Sequence, residues 1–131
     1  MRSILAALML ALVASGASAQ QVMKKLDDGT YVVNTATLAG DVEGYNGTTP
    51  VEIHIKKGVI VKVIALKNME TPKYFGSVKK NLLTQYEGMS VKKFDNTKVD
   101  AVTGATYSSN AVKENVSRGI AYYLKNKRKV K

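Results

Sequence analysis

Between Val51 and Ala65 the chain has few structural options. Val51, Ile53 and Ile55 alternate with Glu52, His54 and Lys56, the period-2 pattern of a strand with one wet face. Lys57-Gly58 stands where a hairpin turn belongs. Val59 to Leu66 then returns as a more uniformly apolar strand with Lys62 at its middle. The two runs predict an antiparallel pair. On this pattern His54 shares a face with Glu52 and Lys56 and reads as a solvated sheet residue.

The remaining elements are placed around that hairpin. Gln20 to Asp28 is polar and reads as a loose lead-in, closed by the turn signal Asp27-Asp28-Gly29. Thr30 to Thr37, rich in β-branched and aromatic residues, predicts a first strand, and Gly40 to Pro50 is loop chemistry with Asn46-Gly47 as a tight-turn pair. Asn68 to Gly76 breaks the periodicity, and Pro72 argues against a helix through it. Val78, Leu82 and Tyr86 recur every four residues and predict a helix over Ser77 to Tyr86, ended by Glu87-Gly88. Val91 to Phe94 and Lys98 to Val102 read as two short strands around an Asp95-Asn96 turn. From Ser109 to Asn126 a helical stripe of Val112, Val116, Ile120, Tyr123 and Leu124 is plain. The order implies an α+β domain, a small mostly antiparallel sheet with two main helices against it.

Residues 1–19 are set apart from this domain. Arg2, the short apolar run Ile4 to Val13 and Ala17-Ser18-Ala19 form the pattern of a cleavable signal peptide, with Gln20 as the first mature residue. The expectation is an exported protein, periplasmic or extracellular, with one domain over residues 20–126 and a basic, solvated tail over 127–131. There is no Cys and a single His, so neither a disulfide framework nor a nitrogen- and sulfur-rich metal site is expected. Lys and Arg number 20 against 10 Asp and Glu, with five of the basic residues between Lys125 and Lys131. Nucleic-acid binding would call for basic residues interleaved with aromatics on one surface, and export argues against it. Attraction to an anionic membrane or to an acidic redox partner is the better use of this charge, and the sequence leaves both open.

Val99 to Ser109 is the stretch where chemistry concentrates. Thr103, Thr106, Ser108 and Ser109 crowd hydroxyls around Gly104, just ahead of the last helix. A helix N-terminus with free N–H groups and such neighbours suits an anion, although a turn with an ordinary N-cap has the same composition. Triad, Rossmann, P-loop and paired-carboxylate patterns are absent.

Asp100-Ala101-Val102-Thr103-Gly104-Ala105-Thr106 closely resembles the flavinylation motif of the FMN-binding domain family, Asp-x-x-Ser/Thr-Gly-Ala-Thr, as found in the flavin subunits of the Rnf and sodium-pumping NADH:quinone reductase complexes. Gly44-Tyr45-Asn46-Gly47, the Val51 to Val63 hairpin and Glu70-Thr71-Pro72 resemble the family's Gly-rich loop, hairpin and Glu-Thr-Pro loop in the same order. After Pro72 the chain continues Lys73-Tyr74-Phe75, where the family more often has Gly.

The resemblance implies FMN esterified through its phosphate to the Thr106 hydroxyl by a separate flavin transferase that consumes FAD and requires Mg²⁺. It implies that Asp100, Thr103, Gly104 and Ala105 complete the motif, with Asp100 serving the transferase through a metal or capping the turn. Thr103 and Ser108 are expected to hydrogen-bond the phosphate. Glu70 and Thr71 are expected to form a second wall, with Tyr74 or Phe75 a candidate to stack on the ring. The function implied is an exported electron carrier serving redox partner proteins, among them a membrane-bound reductase. A small flavin-dependent reductase and a non-redox binding module with a basic surface stand as alternatives.

Overall fold

The computed structural model describes residues 22–130, so the expected signal peptide lies outside the described residues. Four strands, β1 (Met23–Lys25), β2 (Tyr31–Asn34), β3 (Val51–Lys56) and β4 (Val59–Ala65), form one antiparallel sheet in sequence order. Helix α1 (Pro72–Asn81) and the long helix α2 (Thr106–Asn126) complete the α+β architecture.

The central hairpin is as its alternation requires. Val51, Ile53 and Ile55 are buried while Glu52, His54 and Lys56 are half-buried on the other face. Lys57 and Gly58 both have positive φ, 52° and 75°, which matches the right-handed twist of the strands they join. His54 Nε2 lies 2.9 Å from Glu52 Oε1, its neighbour on that face. A bulge between His54 and Ile55 shifts the β3–β4 register and leaves Val61 unpaired and exposed.

Helix α2 packs its Val112, Val116 and Ile120 stripe on the buried face of the sheet. Gly119 permits the close approach: a Cβ there would stand 2.4 Å from Ile53 Cδ1 and 3.1 Å from Thr35 Cγ2. Beside it, buried Asn115 accepts a 2.6 Å hydrogen bond from Thr35 and donates 2.9 Å to the Ala111 carbonyl, closing a polar pair inside the core.

Several expectations are corrected. The lead-in is not loose, because Met23–Lys25 pairs with β2 as an edge strand through its backbone, with Met23 in the core. The first helix begins at Pro72, not Ser77. Proline is at home in the first turn, where a missing N–H costs nothing and φ is already helical. That helix ends at Asn81, and Leu83–Tyr86 is a separate 3₁₀ turn. Neither short strand over 91–102 forms. Gly88 to Val91 instead runs along β4, with Gly88 and Val91 N–H donating to Ile60 and Gly58 and Ile60 N–H to Met89. Val91 then enters the core, and Phe94 packs on Tyr86 at a centroid distance of 6.1 Å. At the basic end, Lys127–Lys129 continues α2 as a 3₁₀ turn, and the Lys127 carbonyl accepts from Tyr31 Oη at 3.3 Å.

Candidate functional site

At the N-terminal end of α2 three segments converge on one cleft of about 590 Å³, within the ~300–1,000 Å³ range of small-molecule sites. The 44–47 turn contributes Tyr45. The segment entering α1 contributes Glu70, Thr71 and Tyr74, and the start of α2 contributes Gly104, Ala105, Thr106, Tyr107 and Ser108.

Glu70 ties these segments together. It is 6% exposed. Its Oε1 accepts from Tyr45 N–H at 2.9 Å and from the Ser108 hydroxyl, and its Oε2 accepts from Asn46 N–H at 2.5 Å. One buried carboxylate thus holds the turn and the helix start to a single wall, with ionic hydrogen bonds to otherwise orphaned donors. The turn itself is closed by Gly44 N–H to the Gly47 carbonyl at 2.7 Å and flanked by a Glu43–Thr48 bridge. Asn46 Nδ2 reaches Thr71 Oγ1 at 3.3 Å, and Asn68 Oδ1 accepts from Glu70 N–H at 3.0 Å.

The helix start is built around Gly104. Ala105 N–H donates to the Val102 carbonyl at 3.0 Å across a turn whose third residue, Gly104, has φ +86°, a conformation that glycine adopts without steric cost. Ser109 is buried. Its hydroxyl accepts from Val102 N–H at 3.0 Å and its N–H donates to the Ala105 carbonyl at 2.9 Å. Ala105 is the N-cap residue, and no side chain caps this helix. The N–H groups of Thr106, Tyr107 and Ser108 therefore have no intrahelical acceptor and none from a cap. Thr106 is the first helical residue and its side chain is exposed in the cleft. A hydroxyl oxygen beside three free donors and the positive dipole end suits a phosphate.

The predicted residues separate into two groups. Glu70, Thr71, Gly104, Ala105, Thr106 and Ser108 share the cleft. Asp100 and Thr103 line an adjoining hollow of about 430 Å³ with Ser77, Asn81 and Gln85. There Gln85 pins the Asp100 backbone, its Oε1 accepting from Asp100 N–H at 2.9 Å and its Nε2 donating to the Asp100 carbonyl at 2.9 Å. The Asp100 carboxylate forms no hydrogen bond among the described residues and is exposed, so it does not cap the turn. Because the Ser108 hydroxyl is engaged by Glu70, the Ser108 group left for an anion is its backbone N–H. Among the described residues no three His, Cys, Asp or Glu side chains cluster as a metal-binding group, and no helix is long and apolar enough to cross a membrane.

Three tyrosines give the cleft its apolar walls. Tyr45 and Tyr107 are 73% and 71% exposed, with ring centroids 6.4 Å apart and planes 30° apart. Tyr74 is 53% exposed, whereas Phe75 is buried in the core, which leaves Tyr74 as the member of that pair able to meet a ligand. Tyr45 and Tyr107 join the site beyond the residues expected from the sequence; an aromatic residue inside a glycine turn and another directly after Thr106 are the signals that mark them.

A family model described as the FMN-binding domain matches residues 44–121, a span from the glycine turn to the last turns of α2. No curated protein and no solved structure matches the chain.

Proposed function

Because this chain belongs to the FMN-binding domain family, we propose that the cleft holds FMN and that Thr106 carries it covalently as an exported electron carrier. The observation that carries the reading is the exposed Thr106 hydroxyl, at the first position of an uncapped helix, on the floor of a tyrosine-walled cleft. The free N–H groups of Thr106, Tyr107 and Ser108 would hold the phosphate, and Gly104 keeps the approach clear of a side chain. Tyr45, Tyr74 and Tyr107 supply flat faces for an aromatic ring, while Glu70 fixes the wall that carries Tyr45.

Attachment forms an ester between Thr106 Oγ and the FMN phosphorus of FAD. It breaks the pyrophosphate bond, releases AMP and passes the hydroxyl proton to solvent or to a base of the flavin transferase. Asp100, exposed beside the motif with its backbone clamped by Gln85, is free to engage that enzyme's Mg²⁺. When bound, FMN supplies the one- and two-electron chemistry, and the protein supplies position and access. A cleft open at Tyr45 and Tyr107 suits electron exchange with redox partner proteins, including a membrane-bound reductase. The covalent bond keeps the cofactor with an exported protein that has no pool to rebind from.

The protein is to be produced with a flavin transferase, precipitated with acid and washed. Yellow colour that stays with the polypeptide supports the covalent reading. Flavin released wholly into the supernatant supports a dissociable site instead.

A further inference from the structure

The end of α2 remote from the cleft gathers positive charge from two parts of the chain. Lys125 lies in the last helical turn, and Lys127, Arg128 and Lys129 continue it. Edge strand β1 adds Lys25 through a pair of tyrosines. Tyr31, opposite Lys25 in the sheet, meets Tyr123 of α2 edge-on at 5.2 Å between centroids and donates its hydroxyl to the Lys127 carbonyl. Lys25 Nζ stands 5.3 Å from the centre of the Tyr31 ring, and Lys127 Nζ 5.7 Å from that of Tyr123. None of these five basic side chains forms an ion pair among the described residues. The neighbouring acids are Asp27 and Asp28 in the β1–β2 turn, and Asp28 is already taken by Lys56 at 3.6 Å and by Thr30 N–H.

We propose that this end of the molecule docks on an anionic phospholipid surface. Two observations favour lipid over an acidic protein. Leu26 and Leu124, each directly beside a lysine, are 40% and 43% exposed, and Lys25 and Lys127 run along tyrosine rings. Apolar, aromatic and basic groups mixed in this way fit a headgroup layer, where phosphates meet ammonium groups and leucines reach the acyl boundary. Four of the five charges are lysines, compact point charges that suit a diffuse anionic surface. Recognition of particular carboxylates favours the planar fork of arginine. Helix α2 has 21 residues and so spans about 32 Å, which places the Thr106 cleft at the far side from the docked surface. That consequence rests on the flavin reading, whereas the docking does not.

The test is sedimentation of the full-length mature protein with phosphatidylcholine vesicles, with and without phosphatidylglycerol. The expected result is binding that requires phosphatidylglycerol and falls with added salt. Replacing Lys125, Lys127, Arg128 and Lys129 together by Gln is expected to weaken it at least tenfold, with the thermal melt retained. Replacing exposed Lys79, Lys80, Lys92 and Lys93 by Gln removes the same charge elsewhere and is expected to change it less than threefold. Equal losses in both variants, no dependence on phosphatidylglycerol, or no binding by the wild type would each overturn the proposal. The same assay on Thr106→Ala, which cannot carry an ester at that position, separates failure of docking from failure of the flavin reading.

Discussion

Gly44 and Glu70 compete for one space: a Cβ on residue 44 would stand 2.6 Å from Glu70 Oε1 and 3.1 Å from Thr49 Cγ2. The carboxylate is held by two backbone N–H groups and the Ser108 hydroxyl, so it cannot swing aside without leaving them unpaired. Gly44→Ala is therefore expected to lower the urea midpoint by an amount equivalent to about 1–3 kcal/mol, the range for overpacking a closed site. A midpoint equal to wild type would show that the turn relaxes freely.

Glu70→Ala removes the acceptor of three hydrogen bonds at a buried point. Orphaned buried donors cost about 1–3 kcal/mol each when water cannot replace the partner. The expected result is a loss at the lower end of that range or above, with the 44–47 turn showing faster amide hydrogen exchange at Tyr45 and Asn46. Protection unchanged at those two amides would mean that Glu70 does not hold the turn.

Gly119→Ala decides between two opposing effects. Alanine favours a helix over glycine by about 1 kcal/mol, but the new methyl would meet Ile53 Cδ1 at 2.4 Å in a fully buried layer. The clash is expected to win, so the single variant melts lower than wild type. Ile53→Val deletes the opposing Cδ1, and the double variant is expected to lose less than the sum of the two single losses. Additive losses would place the strain elsewhere.

Asp41 is held below the ordinary carboxylate value of 3.8 chiefly by its hydrogen bond from Arg118, and Asp95 chiefly by hydrogen bonds from Thr97. A depressed folded-state pKa contributes stability above the unfolded value, which is lost as pH falls through the folded one. Acid titration of stability should thus steepen below pH 3.8, and Asp41→Asn should flatten that limb by losing, at neutral pH, the small contribution this exposed pair makes, the two proteins converging in acid. An identical acid limb in the variant would refute the assignment.

The sheet was legible because its hairpin obeys period 2 and turns on two residues, Lys57 and Gly58, that accept positive φ. The edge strand was hidden because Met23–Lys25 pairs through its backbone and needs no apolar alternation. Pro72 was misjudged because the same residue blocks a helix interior and opens a helix start. In the site, the Thr103 to Thr106 motif could be read directly, since Gly and hydroxyls mark a helix entry. The structural role of Glu70 could not. Its donors on Tyr45 and Asn46 lie 25 and 24 residues away, on backbone that no side-chain pattern reports.

The central claim is that one oxygen, Thr106 Oγ, carries the cofactor. Intact mass of protein co-produced with a flavin transferase tests it directly. Wild type is expected to gain the mass of one FMN less one water, and Thr106→Ala none, with Thr103→Ala still modified. Unmodified wild type, or a Thr106→Ala variant that gains the same mass, would contradict the account.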